Sequence, residues 1–274
     1  MRNILITGKT GYIAQQLAEY LACFPEKYRV TSISVRSDTW KGLDLSQFDT
    51  VVHTAGIVHK KETPENASLY YKVNRDLTVE LAEKAKSSGV RAFIFLSSVS
   101  VYGIDEGVIT RMTPPNPVTH YGKSKLQAEE RLRSMDSDMF AVTIVRSPMV
   151  YGNGCKGNYQ ALVRLAKLLP VFASYENQRS LIRVDRLSRF LSQAIDGKLR
   201  GIYFPQDPEY FCTSHILQQI AAESGKRLPL TPLLNPIVHM AKSCTQKGRK
   251  AFGSLIYKGG DCVEKFCIES GASG

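Results

Sequence analysis

Residues 3–14 read Asn3-Ile4-Leu5-Ile6-Thr7-Gly8-Lys9-Thr10-Gly11-Tyr12-Ile13-Ala14, and this stretch decides the fold. Residues 3–7 form a short apolar, β-branched run, the composition of a strand buried on both faces. A turn with glycines at 8 and 11 follows. From Gly11 onward, Ile13, Leu17, Leu21 and Phe24 recur at helical spacing. Strand, Gly-rich turn and helix in this order suit a dinucleotide pyrophosphate, with an ordinary tight turn as the alternative. Glycine lets the backbone approach the phosphates, and a helix start offers unpaired N–H groups and the positive end of its dipole. Ala14 stands where a third glycine is common, and it is small enough for close helix–strand packing.

The rest of the chain repeats the rhythm. Residues 29–36, 50–53, 92–98 and 140–146 read as further strands, with helices over 66–89 (stopped by Gly89) and 121–134 between them. Alternation of this kind predicts βαβ units and an α/β, doubly wound parallel sheet covered on both faces. After Tyr151-Gly152 the pattern loosens into helices over 159–169, 184–196 and 213–224 with Pro-rich turns. The expected organisation is a dinucleotide-binding domain over 1–152, with some later elements returning to it, and a smaller lobe over 153–274.

Composition narrows the class. Of 274 residues, 43% are hydrophobic, enough for a large core. No apolar run has membrane-spanning length, and the N-terminal run is too short for a signal peptide. Six scattered cysteines without a Cys-x-x-Cys pair or zinc spacing suggest free thiols, no metal and a cytoplasmic setting. The net charge is +11, but the basic residues are spread rather than gathered into an arm, so nucleic acid is not the expected partner. A phosphorylated cofactor and a diphosphate substrate fit that charge.

The second strand ends Ser32-Ile33-Ser34-Val35-Arg36. An NAD site commonly has an acid there to accept from the ribose 2′-hydroxyl; here Ser34 stands near its place, Arg36 just beyond, and Lys9 inside the glycine turn. Two cations favour a 2′-phosphate, hence NADP(H). NAD(H) is the alternative, with Asp38 turning in and both cations solvated.

Tyr121-Gly122-Lys123-Ser124-Lys125 opens a helix, and positions four apart share a face. A neighbouring ammonium favours the tyrosinate, which makes a usable acid/base of a group with a pKa near 10. That spacing is common by chance. Phe95-Leu96-Ser97-Ser98-Val99-Ser100-Val101-Tyr102-Gly103 adds Ser98 at the sheet's carboxyl edge, as a hydroxyl partner for the reacting oxygen or as a simple strand-end cap.

With these residues in place, the chain resembles the extended short-chain dehydrogenases/reductases, the NAD-dependent epimerase/dehydratase group that acts on nucleotide sugars. The matching stretches, in order, are residues 7–14, Val51 to Gly56, Tyr71-Lys72-Val73-Asn74, residues 95–103, His120 to Glu129, and Arg146-Ser147-Pro148-Met149-Val150-Tyr151-Gly152; the likeness spans about residues 1–225. It implies a Rossmann-type sheet with a C-terminal substrate-binding lobe. It implies Tyr121 as acid/base, Lys125 as its pKa-lowering partner and Ser98 as the hydroxyl partner. The cofactor would meet Thr7, Gly8, Lys9, Thr10, Gly11, Tyr12, Ile13 and Arg36. Asp44 and Leu45 would line the adenine, with His53, Ala55, Gly56, Asn74, Ser97, Tyr121, Lys125 and Pro148 around the remainder. His53 alone reads as structural, and Asn74 as a buttress of the loop after the third strand. Ser98, Tyr102, Asn158 and Arg179 would meet the substrate, the last two at its diphosphate. Asp185 reads as a helix cap.

Two departures stand out: Met149 replaces a common substrate-binding asparagine, and the stretch between Arg36 and Asp44 is short. The implied activity is NAD(P)-dependent chemistry at the 4-position of a nucleotide-diphosphate sugar, foremost reduction of a 4-keto sugar for surface polysaccharide. A 4-epimerase is the runner-up and uses the same residues. Val99 and Ser100 after Ser98 argue against a dehydratase, and an intact Tyr/Lys/Ser set argues against a non-catalytic cofactor-binding sensor. The likeness also implies a homodimer through helices 66–89 and 121–134. Lys242, Lys247, Arg249 and Lys250 form a basic cluster, read as a solvated face or as contact with an anionic substrate, partner or membrane surface.

Overall fold

The computed structural model describes residues 1–58, 62–155 and 158–262. In chain order the first half carries β1 (Arg2–Thr7), α1 (Tyr12–Ala22), β2 (Tyr28–Ile33), β3 (Thr50–His53), α2 (Ala67–Tyr71), α3 (Leu77–Ser87), β4 (Ala92–Ser98), β5 (Gly107–Ile109), α4 (His120–Arg133), β6 (Ala141–Ser147) and β7 (Met149–Tyr151). The second half carries α5 (Asn158–Leu168), β8 (Phe172–Ala173), β9 (Leu181–Arg183), α6 (Val184–Gly197), β10 (Gly201–Tyr203), β11 (Pro205–Gln206), α7 (Thr213–Glu223), β12 (Leu230–Thr231), α8 (Asn235–Cys244), α9 (Gln246–Phe252), β13 (Leu255–Tyr257) and β14 (Asp261–Cys262).

Six strands form one sheet in the order β10-β6-β4-β3-β1-β2, every neighbouring pair parallel. Successive side chains on a strand point to opposite faces, and the continuous apolar runs exploit this. Ile4, Ile6, Val52, Ile94 and Val145 pack under α1 and α6, whereas Leu5, Val51, Phe93, Phe95 and Ile144 pack with Leu81 and Ala85 of α3 and Ala128 and Leu132 of α4. The sheet is therefore a doubly wound α/β layer, as the alternation predicted.

The second half returns to this sheet through α6 and β10. The three residues Gly201-Ile202-Tyr203 are too short to carry a strand pattern of their own. Lys198 at φ 45° and Gly201 at φ 92° turn the chain back beside β6. β2 ends at Ile33 rather than near residue 36, because the Ile33 carbonyl accepts from both Gly8 and Lys9 N–H at 3.0 and 3.1 Å. The helix expected over 66–89 is interrupted: α2 passes through a π turn at Lys72–Asp76 before α3. It does stop at Gly89, which sits at φ 81° while Val90 and Gly89 N–H close on Ala85 and Lys86 carbonyls. A separate apolar cluster, with Phe172, Tyr175, Ile216, Leu217, Ile220 and Val238, forms the core of the lobe.

Candidate active site

The turn between β1 and α1 is drawn tight by Gly11 N–H donating to the Gly8 carbonyl at 2.6 Å. Gly8 sits at φ 91°, and a Cβ there would lie 3.1 Å from both the Ala55 nitrogen and Thr54 Oγ1. Only glycine fits this close approach of β1's end to the loop after β3. No side chain caps α1, and no acid occupies its first turn, so its N-terminal dipole faces the turn unopposed. A turn with glycine at both ends, 8 and 11, against an uncapped helix start fits a dinucleotide pyrophosphate. Arg36 folds back onto this turn and donates to Thr10 Oγ1 at 3.3 Å, while Lys9 is exposed. Asp38 faces Lys41 at 3.5 Å. Tyr12 donates from its hydroxyl to the Asn153 carbonyl at 2.9 Å, tying α1 to the loop after β7, and Ile13 packs on the sheet.

Tyr121 and Lys125 project from one face of α4, whose start is held twice. Thr119 Oγ1 accepts from Gly122 N–H at 3.0 Å, and the Glu62 carboxylate accepts from His120 and Tyr121 N–H, both at 2.9 Å. Gly122 admits this helix against β4's exit, since a Cβ would lie 2.4 Å from the Ser100 carbonyl. The Lys125 ammonium donates to the Leu96 carbonyl at 2.8 Å and lies 4.4 Å from the Phe95 ring centroid. Its burial lowers its pKa to about 7, with Glu129 opposing the fall. Tyr121 keeps part of its ring exposed, but its hydroxyl is desolvated, which pushes its pKa up to about 12; the nearby Ser98 hydroxyl pulls it partly back. Lys125 is engaged by Leu96 and is not among the groups that move Tyr121, so the expected lowering of Tyr121 by Lys125 is corrected. Ser98 Oγ also accepts from Ser100 N–H at 3.2 Å, so it caps the strand end as well as facing Tyr121. A Cβ on Gly56 would lie 3.4 Å from Lys125 Nζ and 3.0 Å from Asn74 Oδ1, which joins the glycine cradle to the α4 face through Ala55 and Gly56.

Behind this surface lies a buried polar layer. Asn74, in the π turn, accepts from Ile57 N–H at 2.8 Å and donates to the Ile57 carbonyl at 3.1 Å, and so buttresses the loop after β3. His53 is 0% exposed; its ring nitrogens meet Thr7 Oγ1 at 2.7 Å and Thr78 Oγ1 at 3.0 Å, and burial drops its pKa to about 3. The expected cofactor contact of His53 is therefore corrected: its neutral ring braces β1 against α3. Thr7's hydroxyl is engaged in that same brace.

Ser97 and Tyr102 also point away from a ligand. Ser97 donates to Glu129, which pairs with Arg146 at 2.6 Å, both nearly unexposed. Tyr102 is 2% exposed, accepts from Arg146 at 2.8 Å and packs on Phe204 and Tyr257. The expected side-chain contacts of Ser97 with cofactor and Tyr102 with substrate are corrected, because Ser97 is taken up by Glu129 and Tyr102 by Arg146, the two members of a buried ion pair. Leu45 belongs to the core and Asp44 is exposed, accepting from Ser46 N–H at 2.9 Å. Pro148 is buried between β6 and β7.

At the lobe side, Arg179 donates to the Gly253 carbonyl at 2.6 Å; burial lowers its pKa, with Asp105 and Glu106 opposing. Asn158 opens α5, and its side chain lies outside the described residues, as does Gly157. Asp185 does not cap α6; it sits in the first turn and pairs with Arg183 at 2.6 Å, where it complements the dipole. Met149 lies half-buried at the start of β7 and packs on the lobe core. Sequence reading missed Glu62 and the Glu129–Arg146 pair. Glu62 lies 58 residues before the helix start it holds, with α2, α3, β4 and β5 between them. Glu129 does carry a signal: it stands four residues after Lys125, on the same helix face.

Comparison with known proteins gives the family. Residues 4–197 match the model of the NAD dependent epimerase/dehydratase family. The UDP-glucose 4-epimerase of Vibrio cholerae is 30% identical over 82% of this chain and 76% of its own length. The N-acetyl-alpha-D-glucosaminyl-diphospho-ditrans,octacis-undecaprenol 4-epimerase of Escherichia coli O157:H7 is 28% identical over 97% of this chain and 85% of its own. Among solved structures, a dTDP-4-dehydrorhamnose reductase of Bacillus anthracis in complex with NADP superposes with a TM-score of 0.72 at 18% identity, over 98% of this chain and 100% of that one, a likeness of fold. The chain belongs to the NAD dependent epimerase/dehydratase family.

Proposed function

We propose that this protein carries out NAD(P)-dependent redox chemistry at the 4-position of a sugar borne on a diphosphate, and that its net reaction is reduction of a 4-keto sugar with NADPH. The observation that carries the reading is the junction of the glycine cradle with the α4 face. Gly8 abuts Ala55, Gly56 abuts Lys125, and Tyr121 and Ser98 stand beside them at the sheet's carboxyl edge. The bound nicotinamide supplies the hydride in such chemistry. Tyr121 gives its proton to the sugar oxygen as the carbonyl is reduced, and Ser98 orients that oxygen. A tyrosine held protonated by burial is in the form that a proton donor needs. Lys125, held by the Leu96 carbonyl beside Gly56, takes the ribose side. Arg36 pairs with the 2′-phosphate, and Arg179 and Asn158 receive the substrate diphosphate.

A second reading, 4-epimerisation, is favoured by the two relatives, each a 4-epimerase by name and matched over most of this chain. It uses the same residues, with Tyr121 first taking and then returning the proton. Co-purified cofactor separates the two. A reductase consumes one added NADPH per 4-keto sugar and carries little bound NAD. Tightly bound NAD with turnover in the absence of added cofactor overturns the reductase reading in favour of the epimerase.

A further inference from the structure

Helix α8 is apolar on two sides, and only one is used. Leu234 and Val238 face the lobe core. Leu233, Ile237 and Met240 are 85%, 57% and 62% exposed, and Cys244 is exposed beyond them. Their spacing places them along one stripe of the preceding turn and helix. Isolated apolar residues on a surface need no account, but an exposed stripe of large ones does. The helix pair that carries it is closely packed: a Cβ on Gly248 of α9 would lie 2.0 Å from the Ala241 carbonyl.

The surroundings of the stripe are basic. Residues 226–260 hold seven Lys and Arg and no Asp or Glu. Lys242 and Lys250 reach outside that segment to Glu106 at 2.5 Å and Asp105 at 3.9 Å. Lys247 and Arg249 are exposed, and neither forms an ion pair with the described residues. An exposed apolar stripe beside unneutralised cations is the chemistry of a helix lying in the headgroup region of an anionic bilayer. A second copy of the chain fits less well, because a two-fold contact would set these cations against themselves.

We infer that the outer face of α8, with the cations of α9, docks the protein on an anionic lipid surface. The inference does not depend on which reaction the active site runs. The test is co-sedimentation of the full chain with neutral phosphatidylcholine vesicles and with vesicles containing about one third phosphatidylglycerol. The expected result is binding about tenfold or more stronger to the anionic vesicles, weakening as salt rises. Ile237→Ser/Met240→Ser and, separately, Lys247→Glu/Arg249→Glu each reduce that binding about tenfold, with unchanged melting temperatures. No preference for anionic vesicles, or binding that survives both variants, overturns the inference. So does a dimer dispersed by Ile237→Ser/Met240→Ser without vesicle binding, which gives the face to a second copy. Binding that emerges only after deletion of residues 263–274 also overturns it, giving the face to the chain's own C-terminus.

Discussion

Lys125 and Leu96 are joined by a hydrogen bond of 2.8 Å, from a buried ammonium to a carbonyl near the end of β4. The bond fixes Lys125 beneath Gly56, at the seam between the glycine turn and the face of α4 that bears Tyr121. It also leaves a buried cation whose pKa has fallen from 10.5 to about 7. Between those values the unfolded chain binds the proton and the folded one does not, so stability rises with pH across that window. Relative to Lys125→Met, the wild-type protein should gain stability from pH 7 to pH 10, at up to about 1.4 kcal/mol per pH unit. Urea unfolding of both proteins across this range checks it; parallel curves contradict the burial of Lys125.

His53 titrates in a lower window. Its folded pKa is about 3 against 6.5 unfolded, so the unfolded state takes up the extra proton as pH falls below about 6.5. The stability that neutral His53 provides above that pH is lost toward pH 3. His53→Gln should be less stable than wild type at pH 7.5, by about 1–3 kcal/mol for the lost buried hydrogen bonds. Its melting temperature should also fall less steeply between pH 7 and pH 5. An unchanged slope places the histidine in solvent.

The Glu129–Arg146 pair should behave as a coupled unit. Removing one member leaves the other charged and buried, so Arg146→Met should cost about 3–5 kcal/mol. Glu129→Leu/Arg146→Met should recover much of that loss. A double variant as unstable as the sum of the singles refutes the coupling.

On the proposed NADP(H) reading, Arg36 discriminates between the cofactors. Arg36→Ala should raise the KM for NADPH about tenfold or more and leave that for NADH within about twofold, since only the 2′-phosphate meets the guanidinium. Equal effects on both cofactors remove Arg36 from the phosphate site.

Much of this fold was legible because buried parallel strands are written as continuous apolar runs. NILIT, TVVH and AFIFLSS name themselves, and the glycine turn after the first sets the ligand edge. The strand at 201–203 was not legible, since three residues carry no period and their pairing depends on a turn made far from β6. At the site, Tyr121 and Lys125 share one face of α4 as their spacing suggested, with Ser98 beside Tyr121 and Asn74 against the loop after β3. Ser97, Tyr102 and His53 went astray for a common reason: each stands next to the ligand edge in sequence, yet its side chain turns inward to satisfy a buried partner. Alternation along a strand hides this, because Ser97 and Ser98 look alike until the Glu129–Arg146 pair claims one of them.

The central claim is proton donation by Tyr121 during reduction at the sugar's 4-position. Its most direct test follows deuterium from 4-deuterated NADPH into a 4-keto nucleotide sugar with the purified protein. One deuterium is expected at carbon 4 of the product. Tyr121→Phe should lower the rate about 10²–10⁴-fold while cofactor affinity stays within about threefold. A product without deuterium at carbon 4, or undiminished turnover by Tyr121→Phe, contradicts the account.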